Sequence, residues 1–148
     1  MPQSLAAAYV HLVFSTRDRA PFLQDQHVRN EMHAYLGGIC LRTMGQPLGI
    51  GGTADHVHVL TMLPKALSIA DLVRLLKSNS SSWASTRVPG FAWQAGYGAF
   101  TFARPDLAGL QHYVERQEEH HRTVTFQEEY RALLKEFGIE FDERYLWQ

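Results

Sequence analysis

The segment Ala54-Asp-His-Val-His-Val-Leu-Thr-Met-Leu63 constrains this chain more than any other. It is an apolar run of strand length. In a strand, residues i and i+2 point to the same face. His56 and His58 therefore project together, while Val57 and Val59 turn the other way into a core. Two adjacent imidazoles on a rigid strand are half of a metal site. Two partly buried histidines satisfied by backbone carbonyls would give the same pattern, and the dipeptide alone does not choose between these readings.

With 148 residues, 45% apolar and 20% charged, the chain has the size and make-up of one globular domain, residues 1–148. Cys40 is the only cysteine, which excludes a disulfide framework and a cysteine-based zinc site. A reducing cytoplasm is the expected location. The apolar segment from Ala6 to Phe14 is too short to span a bilayer and follows no basic region, so neither membrane insertion nor a signal peptide is expected. The net charge of −1 is unevenly spread. Residues 1–110 carry 9 Lys/Arg against 6 Asp/Glu, and residues 111–148 carry 5 against 9. A mildly basic body precedes an acidic tail.

The hydrophobic spacing predicts a strand over residues 9–16, a loop at 17–21 and a helix over 25–44, weakened at Gly37-Gly38. Pro47 to Leu63 reads as two strands around Gly51-Gly52. Ser68 and Asp71 open a second helix with a capping sequence. Residues 91–103 read as strand and turn. A helix is expected from Pro105 to about Arg122, and Thr125 with Glu128 caps a last one ending at Gly138. The order β-α-β-β-α-β matches an α+β, ferredoxin-like split βαβ fold with an antiparallel sheet, followed by C-terminal helices. Helices on one face of the sheet are expected to leave the other face free.

Tyr113-Val-Glu-Arg-Gln117 puts a phenol and a carboxamide four residues apart, on one face of the expected helix. An amide oxygen is a reasonable third ligand beside two imidazoles for a divalent cation. The phenol would be a nucleophile, weak at neutral pH unless a cation or base assists it. A surface Tyr and Gln on an amphipathic helix would look the same.

Together, the two patterns resemble the single-tyrosine HUH-endonuclease transposases of bacterial insertion sequences, the IS200-like group. The resemblance is strongest to the branch related to transposases associated with repetitive extragenic palindromes. It is carried by Asp55-His-Val-His-Val-Leu60, Trp93-Gln-Ala-Gly-Tyr-Gly-Ala-Phe100, Tyr113-Val-Glu-Arg-Gln-Glu-Glu-His-His121 and the ending Phe126-Gln-Glu-Glu-Tyr…Tyr145-Leu-Trp147. It implies that His56, His58 and Gln117 hold Mg2+ or Mn2+. It also implies that Tyr113 attacks a phosphodiester of hairpin-bearing single-stranded DNA, leaving a 5′-phosphotyrosine and a free 3′-hydroxyl. The family works as a homodimer whose sites are commonly shared between protomers. No nucleotide cofactor is needed, and the chain has no Gly-x-x-x-x-Gly-Lys-Ser/Thr loop.

Around this set, His120 and His121 read as a solvated helix end, and Glu118 and Glu119 as an acidic solvent face. Arg17, Arg19, Arg74, Lys77, Arg87 and Arg104 are the expected phosphate contacts. Trp83 reads as a core residue rather than a base-stacking platform. A domesticated nuclease with the same chemistry, a non-catalytic single-strand-binding module and a water-using phosphohydrolase are the competing readings.

Overall fold

The computed structural model describes residues 2–148. Its elements are β1 (Tyr9–Ser15), α1 (Gln26–Arg42), β2 (Gln46–Gly52), β3 (His56–Met62), α2 (Ile69–Ala84), β4 (Gly98–Thr101), α3 (Leu107–Glu115), α4 (Gln117–His120) and α5 (Phe126–Glu136). The sheet order is β2-β3-β1-β4, and every neighbouring pair is antiparallel. This is the expected α+β arrangement. Among the described residues no helix is long and apolar enough to cross a membrane.

Helix starts follow local chemistry. The Ser68 hydroxyl accepts from Asp71 N–H at 3.0 Å, and Thr125 accepts from Glu128 N–H at 3.1 Å. Each thereby satisfies a donor that the first helical turn leaves without a partner. Gly138, at φ +66°, lies just past α5, where a left-handed residue ends a helix without a Cβ penalty.

The strands sort their side chains by alternation. Val10, Leu12 and Phe14 of β1, with Val57 and Val59 of β3, pack against Met32, Leu36 and Ile39 of α1 and Leu72 and Leu76 of α2. The opposite face of the sheet carries His11, Val13, Ser15, His56 and His58, and all five are buried. That face was expected to stay free. Instead Val13 and Phe100 pack under Phe126, Tyr130 and Leu134 of α5. The apolar stripe of α5 needs a surface to cover, and this face supplies it.

Two glycines permit the close approach. A Cβ on Gly51, which sits opposite His58 in register, would fall 2.0 Å from the Val114 carbonyl oxygen. Only a bare backbone lets α3 lie this low on β2. A Cβ on Gly98 would meet the Tyr130 ring at 2.6 Å. The expected helix from Pro105 to Arg122 is also interrupted. A short 3-10 turn (Arg104–Asp106) precedes α3, and the chain kinks at Arg116 (φ −103°, ψ 26°) before α4. The strand expected within 91–103 is reduced to β4, with one isolated bridge between Thr16 and Trp93. Residues 139–148 fold back: Trp147 lies 5.9 Å from the Tyr130 ring, and the Gln148 carbonyl accepts from Gly96 N–H at 2.9 Å.

Candidate functional site

His56 and His58 come from β3, Tyr113 from α3, Gln117 from the first residue of α4, and all four meet at Glu129 of α5. His56 and His58 are wholly buried, Gln117 is 1% exposed and Glu129 is 4% exposed. One oxygen of Glu129, Oε1, accepts from His58 Nε2 at 3.0 Å and lies 3.2 Å from His121 Nε2 and 3.7 Å from His56 Nε2. The other, Oε2, accepts the Tyr113 hydroxyl, accepts Gln117 Nε2–H at 3.2 Å and faces His120 Nε2 at 3.2 Å. Gln117 Oε1 is 3.0 Å from His56 Nε2 and 2.9 Å from His121 Nε2.

The tyrosine therefore stands over the histidine pair of its own chain, with ring centroids of Tyr113 and His58 5.7 Å apart. Tyr113 and Gln117 lie on either side of the Arg116 kink and still point to the same place.

Support for the imidazoles is extensive. His56 Nδ1 donates to Asp55 Oδ1 at 2.9 Å, with Thr53 Oγ1 at 3.0 Å. His58 Nδ1 faces His11 Nε2 at 2.8 Å. Since the Glu129 carboxylate accepts from His58 Nε2, the proton order runs His11 Nε2–H to His58 Nδ1, then His58 Nε2–H to Glu129. For His58 Nε2 to ligate a metal, its proton moves to Nδ1 and His11 becomes the acceptor. Carboxylate or second-ring partners of this kind fix the orientation of metal-binding imidazoles.

The electrostatics are sharply divided. Burial pushes the His58 imidazole down to about 4 and that of His11 to about 3. Burial alone would raise Glu129, but the hydrogen bonds from His121 and His58 overcome it and hold the carboxyl far below its usual range. Burial works to lower His121 as well, and its hydrogen bond to Glu129 more than reverses that. Tyr113 is pushed well above an ordinary phenol by burial and by the adjacent Glu129 charge. The phenol is held protonated beside an anion.

The donor set fits a divalent ion. At a ligand distance of about 2.1 Å, neighbouring ligands of an octahedral ion lie about 3 Å apart. The separations among His56 Nε2, Gln117 Oε1, His121 Nε2 and Glu129 Oε1 are 3.0, 2.9, 3.2 and 3.7 Å around the ring. The His56, His121 and Glu129 donor atoms all lie within 4.8 Å of one another.

His120 and His121, read from sequence as a solvated helix end, are drawn in by Glu129 instead. Glu129 and His11 were missed altogether. The signal for Glu129 is a carboxylate sharing a helix face with Phe126, Tyr130 and Leu134, at i+3 and i+4 spacings. Glu118 pairs with the largely buried Arg29, and the exposed Glu119 pairs with Arg116 at 3.3 Å.

The six cations expected to contact phosphate separate. Arg17, Arg74 and Lys77 line one cleft of about 470 Å³ together with Ser78, Ser81 and Tyr97. Lys77 Nζ donates to the Gln94 and Gly96 carbonyls at 2.8 and 2.6 Å, and burial lowers it to about 8. Arg19 lies over the Trp147 ring at 5.8 Å. Arg87 is engaged by Glu31 at 2.9 Å, and Arg104 donates to the Tyr9 hydroxyl at 3.1 Å, at the other end of β1 from Arg17. Trp83 stacks on Tyr35 at 5.3 Å.

Comparison with known proteins agrees with this architecture. A candidate transposase from Deinococcus radiodurans R1 is similar over 79% of this chain and 95% of its own, with a TM-score of 0.62 and 22% identity. A REP-associated tyrosine transposase, described as bound to a REP hairpin, is similar over 77% of this chain and 68% of its own, with a TM-score of 0.56 and 11% identity. At these identities the likeness is one of fold. No curated protein sequence matches. The sequence model described as "Transposase IS200 like" matches residues 4–117, ending at Gln117 and short of His120, His121 and Glu129. With that stretch of its 148 residues matched, the chain belongs to the IS200-like transposase family.

Proposed function

We propose that this protein cleaves and rejoins single-stranded DNA by transesterification, with Tyr113 as nucleophile and a divalent ion, Mg2+ or Mn2+, held by His56, His58 and Gln117. The observation that carries this reading is the convergence of those four side chains around one buried carboxylate within a single chain. When bound, the ion polarises a non-bridging phosphate oxygen and stabilises charge as it develops.

The chain's own residues account for the rest. Tyr113 Oη attacks phosphorus and forms an O–P bond, while the P–O3′ bond breaks. Its electron pair stays on the 3′ oxygen, which takes a proton from solvent water. Glu129 Oε2, already accepting the phenolic hydrogen bond, orients the hydroxyl, and the phenolic proton passes to solvent water. A different 3′-hydroxyl then attacks the 5′-phosphotyrosine, and the phenol leaves and recovers its proton. Each step exchanges one phosphoester for another, so no ATP is consumed.

Arg17, Arg74 and Lys77 supply a basic cleft for the backbone of the strand. The relative described with a REP hairpin supports hairpin-bearing single-stranded DNA as the substrate class. Two such ends call for two copies of the chain, each using its own tyrosine.

The test is a labelled single-stranded hairpin substrate incubated with the protein and MnCl2. A protein–DNA adduct that survives denaturation is expected, and Tyr113→Phe should abolish it. Hydrolysis that persists in Tyr113→Phe would instead make water the nucleophile. Binding with no cleavage of any hairpin substrate would leave a binding module.

A further inference from the structure

The basic cleft between α2 and the loop before β4 has features that a run of phosphates alone would leave unused. Its charge stands at the rim. The exposed Arg17 side chain has no ion-pair partner among the described residues, and Arg74 meets only Asp71, across 3.4 Å of exposed surface. Lys77 is different. Its ammonium gives its hydrogens to the loop, at the carbonyls of Gln94, Ala95 and Gly96, 2.8, 3.2 and 2.6 Å away. It adds charge to the cleft, but its donors fix the loop that carries Tyr97, and it lies 5.8 Å from the centre of that ring. Tyr97 itself is 38% exposed. Beneath it, Val73 and Trp93 give the cleft an apolar floor, and Trp93 Nε1 is already satisfied by Ser80 Oγ at 2.9 Å. Ser78 and Ser81, three residues apart on α2, line the same wall. Their hydroxyls have no protein partner among the described residues.

We propose that this cleft takes one unpaired nucleotide of the substrate strand, its base stacked on Tyr97 and its flanking phosphates held by Arg17 and Arg74. The inference rests on the strand-binding reading of the cleft and deepens it from backbone to base. A volume of about 470 Å³ suits a small organic ligand and is too small for a duplex. An apolar floor is of no use to a phosphate, whereas a base buries its faces there. Because Lys77 holds the loop in place, Tyr97 gives up little freedom when a base settles on it. A ring face accepts any base, so this subsite favours single strands without demanding a sequence. The Ser78 and Ser81 hydroxyls can donate or accept at the base edge. The cleft also adjoins the end of the sheet where the histidine pair begins. Ser15, opposite His56 in register, donates its N–H to Gln94 Oε1 at 2.7 Å.

The experiment measures binding in EDTA, so cleavage plays no part. Fluorescence anisotropy compares a labelled twelve-residue oligothymidylate with a strand of twelve abasic deoxyribose phosphates, each titrated with the full chain. The unaltered chain is expected to bind the thymidylate about tenfold more tightly, the scale of one base on an aromatic ring. Tyr97→Ala is expected to remove most of that preference and to leave the affinity for the abasic strand unchanged, while Tyr97→Phe keeps both. Arg74→Ala is expected to weaken both probes alike and to lower the salt slope by about 1. Circular dichroism checks that each variant folds, and Tyr97→Leu takes the place of Tyr97→Ala if the latter does not. Equal affinity of the unaltered chain for the two probes, binding to neither, or a preference that survives in Tyr97→Ala would overturn the base subsite. The Tyr113 adduct in the manganese assay judges cleavage separately, so either reading can fall while the other stands.

Discussion

His11, His33 and His58 are imidazoles that the fold keeps neutral, at about 3, 4 and 4, because burial disfavours their charged forms. The unfolded chain titrates near 6.5, so between about pH 6.5 and 4 it binds protons that the folded chain refuses. Folding stability is complete above 6.5 and falls with acidification through that window. The raised His121 does not offset this. Its contribution is complete below 6.5 and is lost only as the pH rises through its folded value. Urea unfolding of the metal-free protein is therefore expected to show a lower midpoint at pH 5 than at pH 6.5, and equal midpoints would contradict it. At this scale the sequence grouped His56, His58, Tyr113 and Gln117, and the structure places their side chains side by side. It was silent on Glu129, because the same helix offers Glu128, a capping residue, and local spacing does not say which carboxylate a distant strand will claim.

Helix α3 carries the tyrosine, and its height above β2 is set by the missing side chain at Gly51. Gly51→Ala places a methyl against the Val114 carbonyl, so α3 must lift. The expected cost is about 1–3 kcal/mol of stability, with adduct formation falling further because Tyr113 moves with the helix. Gly109, on the same helix, has nothing within 4 Å of a Cβ. Gly109→Ala is expected to raise stability by about 0.5–1 kcal/mol and to leave cleavage unchanged. Thermal melts and adduct assays on the pair separate packing from propensity. The capping residues of α2 and α5 were legible, since a serine or threonine followed by an acidic residue acts within one turn. The kink at Arg116 was not. It comes from seating Gln117 under the sheet, a demand of tertiary packing that no local pattern carries.

The strand order of the whole molecule follows the split βαβ pattern that the spacing of apolar runs foretold. The second layer was unforeseen because β1 presents a mixed face of Tyr9, His11, Val13 and Ser15. Whether such a face is wet or covered depends on α5, far along the chain. That layer brings Tyr113 onto its own chain's histidines, so mixing Tyr113→Phe chains with His56→Ala chains is expected to restore no cleavage. Recovery of adduct in the mixture would mean that α3 is exchanged between copies. The wholly buried imidazoles of β3 carry a last consequence. Under the proposed chemistry, a scissile phosphate reaches these nitrogens only where the cover of α3, α4 and α5 parts from the sheet.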